Sequence, residues 1–131
     1  MLQDDWMRWL LSLIGAGIGV WTGLSPVFQT LIGLMMLDYL TGMAAAMATH
    51  DLSSKTGLLG LVKKGAIVFV VTAIATAQYG MLPYIGETPL PAAELVAGAF
   101  GVNELISILE NVDRLGVRLP DMLRRLLRRN D

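Results

Sequence analysis

The sequence predicts an all-α integral membrane protein with about four transmembrane helices, both termini in the cytoplasm, and a short C-terminal amphipathic Arg-rich helix. Three observations lead there. Of the 131 residues, 54% are hydrophobic and only 16% are charged, whereas an ordinary soluble domain is about 45–50% apolar and about 25% charged. The apolar residues gather into four runs, and three of them reach the roughly 20 residues that a helix needs to cross a hydrocarbon core. The basic residues are unevenly placed, with all six that follow Glu110 being arginine. The expected transmembrane region is 1–110, and 111–131 is a cytoplasmic basic tail.

The first segment, about 6–24, follows Asp4 and Asp5, where a cleavable signal would carry basic residues, and no Ala-x-Ala site comes after it. It reads as a retained membrane helix. Its "GAGIGVWTG" places Gly15, Gly19 and Gly23 on one stripe, and glycine lets a second helix approach closely. A packing face within one subunit and a contact between subunits fit this stripe equally.

The second segment, about 26–48, opens on Pro26, which suits a first helical turn. Asp38, Thr41, Gly42, Ala45 and Thr49 share one side. Met36, Leu40, Met43 and Met47 lie toward the other, which suits lipid. A charge at the centre of a bilayer costs about 2.5–3.5 kcal/mol, so Asp38 is expected to point into a bundle. Its candidate partners are Thr41, Tyr39 of a neighbour, Gln78 and the lysines. Two readings stay open: a neutral, protonated Asp38 hydrogen-bonded between helices, or a carboxylate facing water in an assembled pore.

The loop "THDLSSKTGLLGLVKK" carries Lys55, Lys63 and Lys64, read as basic groups at the membrane surface. The third segment follows, about 65–85, with Pro83 near its exit. The fourth, about 91–109, is the weakest, because it holds Glu94, Asn103, Glu104 and Ser107. Pro91 suits its start, and Glu94 meets the positive end of the helix dipole. Ala93, Ala97 and Gly101 form another small-residue stripe. Asn103, Ser107, Glu110, Asn111 and Arg114 share a polar face, with Leu105, Ile106, Leu109 and Val112 on an apolar one. Asp38, Thr41, Asn103, Glu104, Ser107 and Glu110 are therefore candidates to line water. The plainer alternative is that such groups cross-bond helices, at about 0.6 kcal/mol each. Gly15, Gly19, Gly23, Gly42, Ala97 and Gly101 are the candidate packing and oligomerisation positions.

Basic residues near membrane ends favour the cytoplasm. A lysine-bearing loop and an arginine-bearing tail on the same side require an even number of crossings between them, which the third and fourth segments supply. The turns "LSP" and "GETPLP" then fall outside without Lys or Arg, and Arg8 falls inside. Three crossings, with the fourth segment on the surface, would leave one basic cluster outside. In the tail "RLPDMLRRLLRRND", Pro120 and Asp121 suit a helix start, and Met122, Leu123, Leu126 and Leu127 form an apolar side. Arg124, Arg125, Arg128 and Arg129 cover the rest. Each Arg gains about 1 kcal/mol at an anionic surface, so the helix is expected on the inner leaflet. No nucleic-acid reading module accompanies the arginines.

Enzymatic chemistry finds no support. There is no cysteine and one histidine, His50, which reads with Asp51 as a solvated loop pair. No nucleophile motif, phosphate loop or metal-ligand spacing occurs, and no cofactor is expected.

Three stretches, "LMMLDYLTGM", "LSSKTGLLGLVKK" and "GVNELISILENVDRLGVRLPDML", together resemble the phage holins of the toxin-secretion/phage-lysis holin family, over about 34–127. The shared pattern falls on Asp38, Tyr39, Thr41, Gly42, Ser54, Lys55, Gly57, Lys63, Lys64, Asn103, Glu104, Ser107, Glu110 and Asn111. The tail is richer in arginine than the Lys and Glu mix the resemblance leads one to expect. The resemblance implies a homo-oligomer that accumulates in the host's inner membrane and then opens holes, so that a cytoplasmic endolysin reaches the cell wall without needing direct contact with the holin. Relatives of this kind are also linked to toxin release. Two other classes remain: a small channel or transporter using Asp38 and Glu104 as an ion or proton site, and a non-lytic membrane scaffold. The inverted repeats that would favour a transporter are not evident.

Overall fold

A computed structural model describes residues 2–86 and 90–127, and those residues form helices joined by short connections, with no strand among them. The helices are α1 (Leu2–Gly23), α2 (Pro26–Ala48), α3 (Ser54–Gly80), α4 (Ala92–Arg114) and α5 (Asp121–Leu127), with a 3-10 turn at Leu82–Ile85 between α3 and α4. Three are long and apolar enough to cross a membrane: α2, α3 continued through Tyr84, and α4.

Local chemistry explains the boundaries. Pro26 opens α2 at a position where its missing N–H is no loss. Ser53 caps α3 by accepting a hydrogen bond from the Thr56 amide (3.4 Å). The cap starts α3 eleven residues before the expected Gly65, so "SKTGLLGLVKK" is helix rather than loop and Lys63 and Lys64 lie inside the element. Pro83 falls in the 3-10 turn rather than in the α-helix. At its far end α4 runs on to Arg114, which brings Asn111 out of the expected tail and into the helix.

α2, α3 and α4 make one bundle. Gly101 of α4 faces Leu34 of α2, and Asn111 faces Gly42, so the two helices run parallel. Gln78 of α3 meets Glu94, and Lys64 meets Glu104, so α3 runs against both. The α2–α3 loop and the C-terminal end of α4 therefore share one end of the bundle. The core is Leu31, Met35, Val71 and Ala97, with Phe28, Ile67, Val96 and Phe100 around it. Ala45, Ala93 and Ala97 are fully buried, and α2 and α4 approach over small residues. That is how helices gain contact where lipid removes the hydrophobic drive for association. Several hydroxyls inside the helices have local partners: Thr30, Thr41, Thr49 and Thr76 each donate to the carbonyl four residues back at 2.8–2.9 Å, which satisfies them in an apolar medium.

The composition of the first and fourth segments misleads about their roles. The weak fourth segment is the centre of the bundle, packed on both α2 and α3, because Glu104 and Asn111 face protein rather than lipid. The glycine-striped first helix stands apart, exposed from Asp5 to Gly23. Its link to α2 is a two-residue turn, Leu24–Ser25, held by the Gln29 amide, which donates to the carbonyls of Trp21 (2.8 Å) and Leu24 (3.3 Å).

Substituting Ala97→Leu overfills the α2–α4 contact and is expected to destabilise the bundle by about 1–3 kcal/mol. Gly15→Leu, where an added Cβ meets nothing within 4 Å, is expected to leave the stability of the single chain within about 0.5 kcal/mol. Thermal unfolding of monomeric protein in detergent, followed by circular dichroism, checks both.

Candidate functional site

Halfway along α2 and α4, three helices converge on one ammonium group. Lys64 of α3 donates to Asp38 Oδ2 of α2 at 2.9 Å and also to Glu104 Oε2 of α4. The side chains are 14%, 15% and 9% exposed respectively, so the cluster is largely sheltered by its own bundle. The other oxygen of Asp38, Oδ1, accepts from Asn111 Nδ2 at 3.0 Å, and the same amide reaches Thr41 Oγ1 at 3.3 Å. Gly42 makes room for it: a Cβ there would stand 3.3 Å from Asn111 Nδ2.

The arrangement follows from where the helices put these residues. Asp38 and Glu104 are both central in 23-residue helices, and the parallel packing of α2 and α4 sets them level. Lys64 lies about 15 Å along α3 from its capped end, at 1.5 Å per residue. With all three groups ionised, the cluster carries one negative charge in excess, and the Asn111 amide directs its partial positive charge at that excess. A buried charge is tolerable only when paired and hydrogen-bonded, and each member here is.

A cleft of about 820 Å³ between α2 and α3 leads from the α2–α3 loop down to this cluster. Asp51 and Ser54 near the α2–α3 loop, Ser107 and Arg114 of α4, and Asp38 and Lys64 of the cluster all line it. The charges thus adjoin a cleft that reaches the α2–α3 loop. Among the described residues no group of His, Cys, Asp and Glu is arranged to hold a metal ion.

A second polar cluster ties the other end. Gln78, only 3% exposed, accepts from the Ala93 amide at 2.8 Å and donates to Glu94 Oε2 at 3.0 Å. Tyr79 donates its hydroxyl to Glu94 Oε1. Gln78 therefore satisfies one of the amides that the start of α4 leaves without a helical partner. Glu94 joins α3 to α4 as well as meeting the dipole.

Of the residues singled out from the sequence, Asp38, Thr41 and Glu104 come together at the cluster, and Ser107 lines the cleft. Asn103 and Glu110 do not join them and lie exposed on the outer side of α4. Gly42, Ala97 and Gly101 lie in or beside the α2–α4 contact, whereas nothing stands within 4 Å of a Cβ built at Gly15, Gly19 or Gly23. Lys55 and Lys63 are exposed. Lys64 departs from its expected place at the membrane surface: the Ser53 cap draws it into α3, and the two carboxylates hold it inside the bundle. Gln78, expected as a partner for Asp38, sits about 21 Å along α3 from Lys64 and serves the other end. Arg124 is half-buried and Arg125 exposed on α5; Arg128 and Arg129 lie outside the described residues. Asn111 was legible as one residue of a polar face and of the pattern the resemblance shares, not as a partner of Asp38. The signal that finds it is its seven-residue spacing from Glu104, which puts both on one side of a helix.

An apolar three-helix bundle that closes over its own ion cluster defines a small helical membrane protein. The chain belongs to the bacteriophage holin family, whose model matches residues 16–130, and holins are membrane proteins without enzymatic activity. It is 33% identical to an uncharacterized protein of Halalkalibacterium halodurans over 92% of this chain and 90% of that one. It is 37% identical to an uncharacterized protein of Clostridium perfringens over 76% of this chain and 70% of that one. An uncharacterized protein of Listeria monocytogenes is 36% identical, over 76% of this chain and 67% of its own. No solved structure matches.

Removing one member of a buried charge cluster typically costs about 3–5 kcal/mol. Lys64→Met, which leaves two carboxylates facing each other, is expected to destabilise the bundle by that order. The triple replacement Lys64→Met, Asp38→Asn, Glu104→Gln is expected to recover most of the loss. Denaturant unfolding in detergent separates the two, and a triple variant no more stable than Lys64→Met would contradict the pairing.

Proposed function

We propose that the protein is a working holin: it accumulates in the inner membrane of a bacterial host, self-associates, and opens holes through which a cytoplasmic endolysin reaches the cell wall. The observation that carries this reading is the charged cluster held between α2, α3 and α4, with a cleft beside it. In a single chain the polar groups are paired with one another and hidden from lipid. In an assembly that parts the helices, the same groups would face water, where their charges are no longer penalised. The two states differ in what solvates Asp38, Lys64, Glu104 and Asn111, and such a difference can act as a switch.

Membrane voltage is a natural input. Moving one elementary charge across 100 mV is worth about 2.3 kcal/mol, comparable to the penalty for exposing one ion to lipid. In this reading α1 is a fourth crossing, both termini are cytoplasmic, and the α2–α3 loop and the tail share the inner side. The common end of the bundle for that loop and for α5 supports this topology. Arg124 and Arg125, with Arg128 and Arg129 beyond them, would hold the tail to anionic lipid. The endolysin needs no docking site on this chain, because the hole alone admits it.

The cleft also favours a second reading, a narrow ion or proton path that ends at the same charges. Induction in bacteria carrying a cytosolic reporter enzyme separates the two. A holin halts growth abruptly and, with an endolysin co-expressed, releases the reporter. A narrow path collapses ion gradients while the reporter stays inside, and that outcome would exclude the holin reading.

A further inference from the structure

The outer side of α4 carries a polar stripe that its own chain leaves bare. Ala99, Asn103 and Glu110 are exposed, and at 100° per residue they lie roughly opposite Ala97 and Gly101, which face α2. A carboxylate and an amide on the lipid side of a spanning helix are unfavourable. α1 carries the complementary stripe. Asp5, Arg8, Ser12, Gly15, Gly19 and Thr22 follow one another at alternating spacings of three and four, on one face of a helix exposed from Asp5 to Gly23. Apart from Ile106 on α4 both stripes are small or polar, and Arg8, three residues from Asp5 on its own helix, can also neutralise Glu110.

Arg8 and Glu110 stand at the same depth if α1 crosses as the fourth span. Arg8 lies as many residues before the end of α1 at Gly23 as Thr41 lies after the start of α2 at Pro26. Thr41 hydrogen-bonds Asn111, the residue after Glu110, so Arg8 and Glu110 are level. By the same comparison Ser12 is level with Leu37, and Asn103 lies just beyond Gly101, which touches Leu34. Ser12 and Asn103 are thus level within one helical turn.

The α1 of the same chain cannot reach this face. Helices pack about 8–10 Å apart, so a helix beyond α4 would lie about 16–20 Å from α2. Gly23 and Pro26 are joined by three peptide units, which span at most about 11 Å. We propose that α1 of one copy docks antiparallel along the outer face of α4 of a second copy, with Arg8 beside Glu110 and Ser12 beside Asn103. The proposal rests on the four-span holin reading above and specifies how its subunits meet. The two faces differ, so each copy offers both, and the contact runs head to tail into a ring or row, the geometry that the rim of a hole requires.

The chain has no cysteine, so introduced thiols report without background. Two differently tagged full-length copies, one Ser12→Cys and the other Asn103→Cys, are co-expressed and oxidised in membranes. A disulfide joining the two tags is expected, several-fold above the pair Ser12→Cys with Leu105→Cys, which uses the opposite side of α4. Arg8→Glu or Glu110→Arg is expected to lower the yield, and the two together to restore it. Equal yields at Asn103 and Leu105, or a disulfide that forms only within a single chain carrying both Ser12→Cys and Asn103→Cys, would overturn the interface. An amine-reactive crosslinker on the cysteine-free protein separates this failure from that of the wider reading. If that protein assembles while the thiol pair stays unjoined, only the α1–α4 contact is wrong. If it remains monomeric, the assembly reading fails and takes the contact with it.

Discussion

A single ammonium shared by two carboxylates holds the bundle in register. Lys64 comes from α3, Asp38 from α2 and Glu104 from α4, so one side chain ties all three helices together. Apolar faces in lipid slide past one another at small cost, because lipid tails are as apolar as the side chains they replace. A buried ion does not slide, since any shift of one turn would leave a charge without its partner. The parallel run of α2 and α4, and the opposed run of α3, satisfy all three charges at once.

Small residues serve that constraint. Ala93, Ala97 and Gly101 let α4 come close, and Gly42 leaves the space that Asn111 fills between Asp38 and Thr41. At the other end, Gln78 and Tyr79 meet Glu94 and the start of α4. The bundle is therefore pinned by polar contacts at its middle and at one end. Its remaining end opens as the cleft between α2 and α3. Stability and access are divided along the length of the molecule, an arrangement well suited to a protein of the holin family.

The polar content of α4 has two destinations. One part, Glu104 and Asn111, is absorbed by the bundle. Another, Asn103 and Glu110, faces outward. This division turns a helix that is poor in isolation into one with a partner on the inside and an unfilled face on the outside. α1 has only an unfilled face. The single chain thus pairs the charges inside its bundle while two helix faces stay unfilled.

Helix-forming, membrane-length apolar segments were legible in the residues alone, because hydrophobic runs and proline positions act locally. So was the presence of an unusual charge at Asp38, and the resemblance over 34–127 marked the residues around it. The start of α3 was misplaced because two adjacent lysines look like the end of a loop, and only the Ser53 cap and their partners across the bundle make them helical. No local feature reveals that Lys64 rather than Gln78 answers Asp38, that Asn103 and Glu110 turn away while Glu104 and Asn111 turn in, or that the glycine stripe of α1 touches nothing in its own chain. Those outcomes depend on which faces of three helices meet. That is decided by pairing charges between residues distant in sequence, which the order of residues along one helix does not record.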